Sequence, residues 1–194
     1  AGLHMFGGEY EECKAMAQRA IEVAHTAHAD AARIWAAGFL GGGLMALGQP
    51  EEGLALIDAS HRDAMAQGLH WIARNALHNG IVMRCTNLRA KDALGRIGLY
   101  EELRIGGRPT PLEPFAVGSI WFFLGYPDKA RVLHEQAAVL AREGESSTAE
   151  GWIRQALADN ISALGRSQEA LAMMRRPEEK RELQDDVRYI QSFI

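Results

Sequence analysis

Apolar and polar positions along this chain follow a helical rhythm, interrupted at regular intervals by glycine, proline and small polar residues. Helices are expected near 9–26, 30–47, 50–67, 69–86, 89–103, 112–124, 127–143, 148–164, 167–176 and 178–193. Alternate breaks share one form. Gly8-Glu-Tyr-Glu-Glu-Cys13 recurs as Gly48-Gln-Pro-Glu-Glu-Gly53, Leu88-Arg-Ala-Lys-Asp-Ala93, Gly125-Tyr-Pro-Asp-Lys-Ala130 and Gly165-Arg-Ser-Gln-Glu-Ala170, with starts 40, 40, 37 and 40 residues apart.

Each copy reads as a hairpin turn. Glycine ends one helix in a left-handed backbone state, proline or a small polar residue opens the next, and acidic residues suit that helix's positive N-terminus. The last position, Cys13, Gly53, Ala93, Ala130 or Ala170, is small, so two antiparallel helices can approach closely. One hairpin cannot bury its own apolar face, and successive copies are expected to stack around a shared core. Between hairpins the turn signals are Asp30, Gln67-Gly68, the stretch Gly106 to Pro111, and Gly144 to Ser147, where Ser147 and Glu150 fit a capping box.

These residues resemble the tetratricopeptide repeat. Gly8-Glu-Tyr10-Glu-Glu-Cys13 is similar to that family's inter-helix turn, and Leu40-Gly41 with Leu44, Val117-Gly118 with Trp121, and Leu157-Ala158 with Ile161 match its first-helix pattern. The third copy departs, with Gly80-Ile81, Arg84 and Leu88 at those places. The resemblance implies an all-α fold: a right-handed superhelix, or α-solenoid, of about five stacked hairpins over residues 1–194, closed by a C-terminal helix at 178–193. Units near 40 residues, and the phrase from Leu47 to Ile57, are similar to the repeat regions of MalT-type LuxR transcriptional regulators and of cyclase-linked signalling ATPases.

In such a superhelix the first helices form the concave wall. Transferring the family's groove-facing positions by register nominates Trp35 and Met45; Asn75, His78, Val82 and Cys85; Phe115, Ser119 and Phe122; and Trp152, Gln155, Asp159 and Ser162. Aromatic platforms with a few amides and hydroxyls can hold an apolar body and orient its polar ends. The nominated wall carries no lysine or arginine, which argues against a clamp for acidic chain ends. The stripe Leu183, Val187, Ile190 and Phe193 makes the last segment amphipathic, suited to capping the array or to docking on a further repeat or a second copy.

Composition agrees with helices: 31 Ala and 20 Leu stand against 22 Val, Ile and Thr together. The formal charge of -4 provides no basic field, so direct nucleic-acid contact and an anionic membrane surface are not expected. The uncharged run from Ile34 to Pro50 holds five glycines and falls short of the roughly 20 apolar residues of a membrane span. Two cysteines, Cys13 and Cys85, form no disulfide framework and read as buried fillers of a cytoplasmic protein.

Chemistry is sparse. Gly41-Gly-Gly43-Leu-Met-Ala46 has dinucleotide-turn spacing, but it lies inside a helix instead of after a strand, and is read as close helix packing. Of seven histidines only His25 and His28 share a face at close spacing, so no metal and no cofactor are expected. The chain therefore reads as a non-catalytic ligand-sensing and protein-interaction module of a bacterial signalling protein, specifically a transcriptional regulator. Its partners would be a protein or peptide, a small molecule in the groove, or a second copy as a homodimer. A stand-alone adaptor binding peptide segments is the alternative. Only about seven residues precede the first turn, where a full helix of this period needs roughly 14, which suggests a fragment of a longer array, with the origin of residues 1–5 open.

Overall fold

A computed structural model describes residues 8–104, 106–144 and 147–174. Every element among them is helical: α1 (Tyr10–Thr26), α2 (Asp30–Ala46), α3 (Pro50–Ala66), α4 (His70–Thr86), α5 (Ala90–Leu94), a 3-10 segment (Ile97–Leu103), α6 (Leu112–Phe123), α7 (Pro127–Glu143), α8 (Ser147–Ala163) and α9 (Ser167–Met174). The expected boundaries hold to within about two residues, except in the third hairpin. The expected helix 178–193, residues 1–5 and the Ser147 side chain lie outside the described residues.

The repeating unit is half the length the turn motif suggested. Helices start at residues 10, 30, 50, 70 and 90, and again at 127, 147 and 167, so one 20-residue module serves both kinds of turn. Each module is a 17-residue helix closed by the same backbone device. In the first copy the His28 N–H donates to His25 O at 3.2 Å and the Ala29 N–H donates to Ala24 O at 2.8 Å. This Schellman pattern repeats at Gly48-Gln49, Gly68-Leu69, Leu88-Arg89, Gly125-Tyr126 and Gly165-Arg166. The second residue of each pair also opens the next helix: the Ala29, Gln49, Leu69, Tyr126 and Arg166 carbonyls accept from Arg33, Gly53, Ala73, Ala130 and Ala170. One left-handed residue per module thus suffices, and it is glycine except at His28 (φ 53°) and Leu88 (φ 59°).

Consecutive helices pack antiparallel along the chain, and the first helices of successive hairpins also touch: α2 with α4, α4 with α6, and α6 with α8. The small positions of the turn motif all lie in these crossings, with Cys13, Ala93 and Ala130 fully buried. At the α2–α3 crossing the helices are so close that a Cβ on Gly41 would sit 2.6 Å from Gly53 O and 2.7 Å from Ile57 Cγ1. Apolar packing is divided into groups that succeed one another along the chain. The largest joins Ile34, Ile72, Leu77, Ile81, Tyr100, Leu103 and Ile120, and smaller ones form around Met45, Leu54 and Ile57, around Ala137, Ala141 and Ile153, and around Ala158 and Ile161.

The expected helix 89–103 is the correction. It ends at Leu94, and the chain continues as the 3-10 segment Ile97–Leu103. Gly95 and Gly98 weaken helix propagation there, and the tighter winding buries Tyr100 and Leu103 in the largest core group. Gly106 and Gly107, both at positive φ, turn the chain toward α6. Arg104 anchors that return by donating from Nη2 to Glu113 Oε1 at 2.6 Å and from Nε to Oε2 at 3.1 Å.

Candidate functional site

The nominated wall does not stay on one surface. Trp35, Asn75, Val82, Phe115 and Phe122 are half-buried, and Trp152, Gln155, Asp159 and Ser162 are exposed. Met45, His78, Ser119 and Cys85 belong to the interior instead. Met45 packs with Leu54 and Ile57 between α2 and α3. Helical geometry explains the error: ten residues after Trp35 or Asn75, Met45 and Cys85 have rotated about 80° off the starting face. Polar members are also engaged locally, Asn75 Nδ2 donating to Trp71 O at 2.8 Å and Gln155 Nε2 to Asp159 Oδ1 at 3.0 Å.

Two aromatic centres lie on the first helices. Trp35 meets Trp71 at 4.8 Å between ring centroids and Phe39 edge-on at 5.0 Å, joining α2 to α4. Sequence reasoning missed Trp71 and Phe39, although Phe39 sits one turn after Trp35 on the same face. The second centre is a solvent-open cleft of about 170 Å³ between the N-terminal halves of α6 and α8, lined by Pro111, Leu112, Phe115, Ala149, Trp152 and Ile153. Trp152 remains 37% exposed at its rim.

The floor of this cleft is held from behind. Phe115 stacks on His78 at 5.3 Å and lies 5.3 Å from His134, so one ring is gripped between α4 and α7. The same imidazoles bond the backbone of α6. His78 Nδ1 donates to Leu112 O at 3.4 Å, beside the Tyr100 hydroxyl donating to that oxygen at 3.4 Å. His134 Nε2 donates to Phe115 O at 3.2 Å, and Ser119 Oγ donates to the same carbonyl at 3.0 Å. Asn160 Nδ2 donates to His134 Nδ1 at 2.8 Å and to Ala156 O, which fixes His134 as the neutral, Nε2-protonated form. Room for that ring exists because position 118 is glycine: a Cβ there would sit 2.5 Å from the His134 ring.

Burial lowers both imidazoles, His78 and His134, to about 4, with the backbone hydrogen bonds opposing the shift. Burial likewise raises the Cys13 thiol and pushes Cys85 up to about 11, so neither is an activated thiolate. None of the six lining side chains titrates, so the cleft can exclude water and hold an apolar group but offers no acid, base or nucleophile of its own. His134, Asn160 and Tyr100 carried no sequence signal, because their partners lie between 12 and 26 residues away.

Among the described residues no group of three or more His, Cys, Asp or Glu side chains is placed to hold a metal ion, and no helix is long and apolar enough to cross a membrane. No family model matches the chain, and no curated protein matches it.

Proposed function

We propose that the chain is a non-catalytic interaction module: a right-handed superhelix of tetratricopeptide-like hairpins whose first helices present a cleft for an apolar side chain of a protein partner. The asymmetry of packing supports the superhelix, since first helices touch one another between hairpins as the inside of a curve requires. Size carries the choice of ligand. At about 170 Å³ the cleft is well below the roughly 300–1,000 Å³ of drug-sized ligand pockets, but it suits one leucine- or phenylalanine-sized anchor. A peptide or protein is therefore favoured over a small molecule in the groove.

The parent we infer is a cytoplasmic bacterial signalling protein of the LuxR regulator type. Spacings of 40, 40, 37 and 40 residues and the Leu47 to Ile57 phrase support this, and any DNA contact would come from other segments. The cleft is tested by titrating N-acetyl-leucinamide and N-acetyl-glycinamide while following the Trp152 indole by NMR. The leucine probe should shift that resonance saturably and the glycine probe should not; equal responses would sink the assignment. Phe115→Ala should remove the leucine response.

A further inference from the structure

The third hairpin breaks the chain's own pattern at several points that meet in space. Arg84 stands where the other first helices carry Leu44, Trp121 and Ile161. The second helix stops at Leu94, and the residue that follows Gly95 turns inward. Both arginines end on one carboxylate. Arg84 Nη2 donates to Asp58 Oδ2 at 2.7 Å, and Arg96 Nη2 donates to the same oxygen at 2.5 Å. Arg84 also folds back on its own helix, donating from Nη1 to Gly80 O at 2.9 Å, a posture that glycine at 80 leaves room for.

The charges do not balance. Arg62 lies one turn beyond Asp58 on α3, exposed and with no ion pair among the described residues. The charged groups whose fields reach Arg96 are Asp58, Arg84 and Arg62. Three guanidinium groups thus share one carboxylate, an excess of two positive charges in a chain whose formal charge is -4. Side-chain exposures of 8% for Arg84, 17% for Asp58 and 25% for Arg96 place the excess where solvent screens it poorly. Departures from an otherwise consistent pattern are expected at functional sites.

We propose that Arg62, Arg84 and Arg96, set around Asp58, form a phosphate-binding site on the second-helix side of the array. A phosphate monoester carries about −1.5 to −2 charges at pH 7, which matches the excess, whereas a carboxylate would leave part of it uncompensated. Arg84 and Asp58 set the frame, and Arg96 and Arg62 supply the solvent-facing donors that a phosphate oxygen would accept from.

The experiment is calorimetric titration of the whole chain with sodium phosphate against sodium chloride at matched ionic strength. Phosphate should bind saturably and chloride should not. Arg62→Ala alters an exposed residue, and Arg96→Gln leaves the Arg84–Asp58 pair in place. Each should weaken phosphate roughly tenfold or more, the size expected for a charged hydrogen bond. Arg142→Ala, at an exposed site on α7, should bind as the unaltered chain does. A second arm compares phosphoserine with serine: response to phosphoserine assigns the site to phosphate carried on a side chain, and response to inorganic phosphate alone assigns it to the free ion. Phosphate no better than chloride, or both arginine variants binding normally, overturns the proposal. Trp152→Ala should leave phosphate binding intact, which separates this site from the apolar cleft.

Discussion

At the scale of single residues, glycines in this chain do different work, and the distinction is measurable. Gly41 is a crossing point with no space for a methyl group, since its Cβ would meet backbone at 2.6 Å. Gly43 faces only ordinary contacts at 3.5 to 3.6 Å. Gly41→Ala should therefore cost about 1–3 kcal/mol by overpacking, while Gly43→Ala should be neutral or stabilising by up to about 1 kcal/mol through helix propensity. Urea midpoints of the two variants check both signs. Leu88 shows the reverse situation: a left-handed conformation at φ 59° on a side chain that is 89% exposed. Leu88→Gly loses almost no burial and relieves backbone strain of about 1–2 kcal/mol, so its thermal midpoint should rise despite the added freedom of glycine in the unfolded chain.

At the scale of elements, two histidines couple α6 to its neighbours, and this coupling has a pH signature. Unfolded imidazoles titrate near 6.5, whereas His78 and His134 are lowered to about 4 by burial. Below pH 6.5 the unfolded chain takes up protons first, so the stability the two groups contribute is complete above that pH and is lost as pH falls toward 4. Each contributes on the order of 3 kcal/mol of this dependence. Unfolding free energies measured between pH 7 and 4 should fall more steeply for the natural chain than for His78→Gln/His134→Gln. A parallel fall in the two proteins would refute the assignment.

Much of this element scale was legible beforehand. Alanine-rich stretches, Pro50 and Pro127 at first helical positions and glycine at the turns are local signals, and helix boundaries follow from them within about two residues. The third hairpin was not legible in the same way. Gly95 and Gly98 weaken a helix without saying where the chain goes next, and the answer depends on Tyr100 and Leu103 finding a core built by α4 and α6. The candidate site was read in part: Phe115 and Trp152 line the cleft, but Met45, His78 and Ser119 turned inward because a stripe drawn over several turns drifts around its helix.

For the whole molecule, the decisive quantity is extension. A compact globule of 194 residues has a radius of gyration of about 16 Å, and a superhelix of hairpins exceeds that value. Small-angle scattering of the chain should return a clearly larger radius with a pair-distance distribution skewed to long distances, whereas a value near the compact one would remove the basis for a concave wall.

The amino-acid sequence by itself determined that the chain is helical, where its helices begin and end, and that neighbouring helices pack closely, because propensity, capping and small-residue spacing act within a few residues of each other. Tertiary structure alone decided which faces are open. The grip of His78 and His134 on α6, the convergence of Arg84 and Arg96 on Asp58 and the cleft beside Trp152 join groups separated by up to 38 residues. Those pairings depend on how rigid helices are rotated and offset when they stack, and no local preference encodes that rotation.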